Sequence, residues 1–146
     1  MALTVRTEIE IDAPAARVWD VLTDFDAFPR WNPFIRRIDG VASERMRLSV
    51  KIQPPGGRAM TFRPTVLRVE DGRLLSWRGR TIIPGLFDGE HIFELEPLGH
   101  DRTRFVHAEN FRGLLVPLLA RTLRTNTRAG FERMNAALKA RAERDG

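Results

Sequence analysis

Two segments late in the chain, Leu86–Pro97 and Arg102–Arg112, alternate apolar and polar residues with the period of half-buried strands. In the first, Phe87, His91, Phe93 and Leu95 share one face, while Glu90, Glu94 and Glu96 take the other with Ile92. In the second, Phe105, His107, Glu109 and Phe111 share a face and Arg104 and Arg112 lie opposite. The apolar faces therefore carry two histidines and a carboxylate. Burying such groups unpaired costs several kcal/mol, so they are expected to pair with one another or with a ligand.

The rest of the pattern predicts the elements around these strands. Leu3–Ile11 reads as a strand with Leu3, Val5, Ile9 and Ile11 on one face. A helix starts around Asp12-Ala13-Pro14, with Val18, Trp19 and Leu22 on its apolar side. Asp24 is placed to cap a second short helix, Phe25–Phe28, which Pro29 should stop. Five or six strands follow: one ending near Asp39-Gly40, then Met46–Ile52 up to Pro54-Pro55-Gly56-Gly57, then Met60–Glu70 and Arg73–Thr81 around the turn Asp71-Gly72. No segment between them has helical period, so the sheet should be antiparallel. From Leu114 the period becomes helical. Leu115, Leu119, Leu123, Thr127, Phe131, Met134 and Leu138 form the stripe of a long amphipathic helix, with Pro117 in its first turn and Gly130 marking close packing or reserved space.

A chain of 146 residues, 42% hydrophobic and 29% charged, fits one globular domain spanning 1–146. No apolar run is long enough for a membrane span, and Met1–Glu10 alternates rather than forming a signal peptide, so a cytoplasmic location is expected. The absence of cysteine excludes disulfides and thiolate metal sites. The net charge of +5 comes almost wholly from arginines, Lys51 and Lys139 being the only lysines. These arginines are scattered along strands and a helix face, which reads as a solvated surface rather than a nucleic-acid site.

The element order is a strand, two small helices, a run of antiparallel strands and one long C-terminal helix. Together with Ala13-Pro14, Val18-Trp19-Asp20-Val21-Leu22-Thr23-Asp24 and Trp31-Asn32-Pro33-Phe34, it resembles the START/Bet v 1-like (SRPBCC) superfamily. Gly89-Glu90-His91-x-Phe93-x-Leu95 and His107-x-Glu109-x-Phe111-x-Gly113-Leu114-Leu115 resemble its bacterial polyketide cyclase/dehydrase-like subgroup. The resemblance covers nearly the whole chain and implies an α+β helix-grip fold. A curved antiparallel sheet would wrap the C-terminal helix around an apolar cavity, with two short helices after the first strand. Oxygenase members of the superfamily carry an iron–sulfur domain for which this chain has no cysteines.

His91, His107 and Glu109 are the candidate acid–base residues, since an imidazole passes protons near neutral pH. The same three could satisfy one another or orient the polar end of a ligand. They also match a metal-ligand inventory, but no spacing fixes a coordination geometry, and neither metal nor cofactor is expected. A ligand's apolar body would meet Met46, Leu48, Val50, Trp77, Phe93 and Phe105 on the sheet. On the helix it would meet Leu119, Leu123, Phe131 and Met134, with Thr127 beside Gly130. Trp31 and Asn32 would form the mouth. Arg63 would supply a counter-charge if Leu67 and Val69 face inward; the competing register turns Phe62 and Val66 inward and Arg63 to solvent.

The expected function is binding of a hydrophobic small molecule such as a lipid, polyketide, isoprenoid or aromatic compound. A cyclase/dehydratase-type enzyme in the same cavity is the alternative. A protein- or nucleic-acid-interaction module ranks below both, because the aromatics follow the buried parity. The ligand's identity and the oligomeric state are open at this point.

Overall fold

Strand β1 (Ala2–Ile11) buries Leu3, Val5, Thr7 and Ile11 and exposes the charged residues between them. The structure is a computed structural model that describes residues 2–80 and 83–144. After β1 the carbonyl of Pro14 accepts from the amides of Arg17 and Val18, starting α1 (Ala15–Thr23), which buries Val18, Trp19, Val21 and Leu22. A 3₁₀ turn (Phe25–Ala27) runs into α2 (Phe28–Trp31). Two local expectations are corrected here. The Asp24 side chain makes no capping bond. Pro29, expected to stop a helix, stands in the first turn of α2, where its missing N–H would have had no partner anyway.

Among the described residues seven more strands follow: β2 (Ile35–Asp39), β3 (Ser49–Ile52), β4 (Met60–Phe62), β5 (Thr65–Glu70), β6 (Leu74–Arg80), β7 (Asp88–Pro97) and β8 (Thr103–Arg112). The count exceeds the expected one because Met60–Glu70 is not a single strand. It divides at Arg63-Pro64, where proline offers no ladder donor. The predicted end of the sixth strand, Thr81, lies outside the described residues.

Every pairing is antiparallel, in the orders β1-β8-β7-β6-β5 and β2-β3-β4. The two groups meet at a bridge between Arg47 and Thr65, where the Val66 amide donates to the Met46 carbonyl. The ladder aligns two rows across the concave face. One runs Val5, Glu109, His91, Trp77, Val66; the next runs Thr7, His107, Phe93, Leu75, Val69.

The C-terminal helix has three parts: α3 (Val116–Thr122), a π turn (Leu123–Thr127) and α4 (Arg128–Arg144). Its stripe steps by four from Leu115 through Leu119, Leu123 and Thr127 to Phe131. An α-helix advances 3.6 residues per turn, so strict four-residue steps drift around it. The i→i+5 turn takes up the surplus and keeps α4 facing the sheet. There Phe131, Met134, Asn135, Leu138 and Ala142 are buried. Gly130 proves to mark close packing: a Cβ at this position would overlap the Phe34 ring. At the entry to the helix Gly113 has φ +137°, and a Cβ there would overlap the Leu86 carbonyl oxygen, which accepts from the Leu115 amide.

Candidate functional site

Between the concave sheet and the helix lies a cavity of about 150 Å³. Phe34, Phe62, Trp77, Phe87 and Phe111 supply aromatic wall, while Val50, Ile52, Met60 and Leu123 supply aliphatic wall. Gly79 and Gly89, paired across β6 and β7, leave bare backbone on the floor. Among the described residues the polar lining side chains are His91, Glu109 and Thr127, and no arginine or lysine lines the cavity.

The register that aligns His91 with Glu109 brings His91 Nδ1 within 3.3 Å of Glu109 Oε1. The other nitrogen of His91, Nε2, lies 2.7 Å from His107 Nε2. His107 Nδ1 in turn lies 2.9 Å from Asn135 Oδ1 on α4. The Asn135 amide donates to the Thr7 hydroxyl at 2.8 Å, and that hydroxyl donates to the His107 backbone carbonyl at 3.0 Å. A continuous polar chain thus runs from the cavity into the core.

Exposure grades along it. The Glu109 side chain is 17% exposed and that of His91 1%, while His107 is fully buried and does not line the cavity. Phe131 stacks on His107 at 3.9 Å and Trp77 tilts over His91 at 5.3 Å. Burial, and after it the neighbouring His91, push the His107 pKa well below 6.5 against the Asn135 hydrogen bond, so His107 is neutral. Gly89 gives the carboxylate its place, since a Cβ there would overlap Glu109 Oε2.

The structure brings together His91, His107 and Glu109, and at the cavity wall it places Val50, Trp77, Leu123 and Thr127. Leu48, Phe93, Phe105, Phe131 and Met134 are buried in the core beyond the cavity. Leu119 packs against that core, half-buried. Met46 is 45% exposed and off the wall. The clean alternation expected there fails because Arg45 takes a positive φ of 69° and the β3 ladder begins only at Ser49. Arg63 is exposed: Phe62 and Pro64 face the cavity, Val66 is buried, and the register shifts between Val66 and Arg68. The inward register for Arg63 is thereby corrected to the outward one.

Trp31 packs edge-on to Phe28 at 5.0 Å and does not line the cavity. Asn32 is buried, and its Oδ1 accepts from the amides of Phe34 and Ile35 at 2.9 and 2.8 Å. It therefore sets the turn that presents Phe34 to the cavity. Thr7 and Asn135 were missed as site residues, although each is a polar residue at an apolar position of its element. Among the described residues no group of three histidine, cysteine or carboxylate side chains could hold a metal ion, and no helix is long and apolar enough to cross a membrane.

A curved antiparallel sheet gripping a C-terminal helix around an apolar cavity defines a helix-grip α+β protein of the START/Bet v 1-like class. Residues 2–143 match the family described as polyketide cyclase / dehydrase and lipid transport, and the chain belongs to that family. No curated protein matches it in sequence.

Solved structures share the fold. A START superfamily protein from Mycobacterium smegmatis is 21% identical, with TM-score 0.78 over 98% of this chain and 99% of that one. The ZhuI aromatase/cyclase from Streptomyces sp. R1128 is 16% identical, with TM-score 0.75 over 100% and 99%. The di-domain aromatase/cyclase BexL from the BE-7585A biosynthetic pathway is 15% identical, with TM-score 0.75; 97% of this chain matches 48% of it, so the chain spans about half of that protein.

Proposed function

We propose that the protein binds a small hydrophobic molecule, its apolar body against the aromatic wall and its polar end at Glu109. The observation that carries this reading is an apolar cavity whose one carboxylate is backed by a buried histidine pair. Apolar burial supplies the affinity and a few placed polar groups supply orientation, the usual division of labour in a ligand site. The volume, about 150 Å³, suits one or two rings inside the cavity. A longer ligand would extend through the mouth.

The test is titration with a neutral fluorescent probe such as N-phenyl-1-naphthylamine, followed by quenching of Trp77. Saturation at micromolar concentration, about 8 kcal/mol of binding free energy, is the expected result. Quenching that does not saturate, or that persists unchanged when Trp77 is replaced by phenylalanine, would refute the reading.

A second reading, acid–base chemistry of the cyclase/dehydratase type, is favoured by one observation: Glu109 reaches the cavity with Oε1 3.3 Å from His91 Nδ1. A carboxylate so placed can take a proton from an enol or an activated C–H. The pair then holds one more proton and faces the new anion with one more positive charge. Under this reading Glu109→Gln lowers turnover by about 10²–10⁴-fold while binding persists. Under the binding reading alone no substrate is consumed.

A further inference from the structure

The polar chain has a direction, and it is fixed at its buried end. The His107 carbonyl can only accept, so the Thr7 hydroxyl spends its hydrogen there and accepts from the Asn135 amide. Asn135 therefore turns Oδ1 toward His107, and His107 must donate from Nδ1. A neutral imidazole that donates from Nδ1 accepts at Nε2. Its partner, His91 Nε2, must then donate. That assigns every proton except the one between His91 Nδ1 and Glu109 Oε1. With no proton there, a lone pair would face a carboxylate.

From this order we propose that the His91–Glu109 pair holds one proton, and that the cavity thereby selects ligands bearing a neutral hydroxyl or enol donor over carboxylates of the same shape. The inference rests on the binding reading and deepens it. Whether written as imidazolium with carboxylate or as imidazole with carboxylic acid, the pair is neutral as a unit. A neutral donor completes it at Glu109 Oε2 without altering the count. An anionic ligand brings a charge that no lining arginine or lysine offsets, and must draw in another proton. An ammonium ligand faces the converse difficulty, since it favours loss of the shared proton and leaves His91 Nδ1 facing the carboxylate unpaired. Thr7 and Asn135 touch no ligand. They are positioning residues that set the direction of the chain.

Calorimetric titration with 2-methylnaphthalene, 2-naphthol and 2-naphthoate separates this inference from the binding reading. In the native protein 2-naphthol should bind most tightly and 2-naphthoate at least about tenfold more weakly, because its charge enters an apolar cavity with no lining arginine or lysine to offset it. In Glu109→Gln, whose amide can donate to a carboxylate as well as accept from a hydroxyl, the gap between 2-naphthol and 2-naphthoate should narrow. Long-range ¹H–¹⁵N spectra should show His107 as the neutral Nδ1–H tautomer, and Asn135→Leu should disturb that signature while 2-methylnaphthalene still binds.

If 2-naphthoate binds as tightly as 2-naphthol, or His107 carries its proton on Nε2, the proton order is wrong while the binding reading stands. Failure of all three probes to bind overturns both.

Discussion

His107 is neutral in the fold and free to protonate when the chain unfolds. Its folded pKa lies well below 6.5, so below about pH 6.5 the unfolded chain binds a proton that the native state refuses. This contribution to stability is fully present above that pH. It falls away as the pH drops toward the folded value, by at most about 1.4 kcal/mol per pH unit. In urea unfolding between about pH 7 and 5.5, acidification should cost the native protein more stability than it costs His107→Gln. Asn135→Leu strands the His107 Nδ1–H and should cost about 1–3 kcal/mol in the same assay. The polar chain was half legible in the sequence. Histidines among the phenylalanines of two strands stand out, whereas Thr7 and Asn135 are common at strand and helix boundaries. Only the register of β1 on β8 and the facing of α4 show that all five polar side chains join.

At the scale of elements, β7 and β8 carry the site because their ten-residue ladder sets His91 against Glu109 without a bulge. Gly89 is the weak point of that ladder. An alanine in place of a strand glycine ordinarily adds stability, but here its Cβ would displace the Glu109 carboxylate. Gly89→Ala should therefore leave far-UV circular dichroism unchanged and reduce 2-naphthol affinity several-fold more than 2-methylnaphthalene affinity. Element types and order were readable because strand and helix periods differ so plainly on either side of Leu114. The breaks were harder to read: Pro64 and the four-residue steps of the helix stripe account for the split at Arg63-Pro64 and the π turn, whereas no local period marks the positive φ at Arg45.

For the whole molecule, the charge and the cavity are separate matters. Among the described residues the excess of arginine lies on the outside, and no arginine or lysine lines the cavity. Binding of a neutral probe should therefore change by no more than about twofold over a broad range of salt. The same probe should raise the melting temperature with its concentration, because it binds only the folded chain; at a hundred times its Kd the gain is about 2.7 kcal/mol. Differential scanning fluorimetry with 2-methylnaphthalene at low and high salt reads both effects.

Phe34 lies with one edge on the bare helix backbone at Gly130, stands 5.6 Å from Phe131, and also forms part of the cavity wall. The ring is thus seated as deep toward the helix as a missing side chain allows. Residue 130 touches no ligand, yet it gauges the bore of the cavity. A methyl group there would drive the Phe34 ring back into the space a ligand occupies. Gly130→Ala should keep the fold while shifting preference from two-ring to one-ring guests, seen as a larger loss of affinity for 2-naphthol than for phenol. In a lineage of such proteins, one helix position behind the wall would be enough to change which molecules fit.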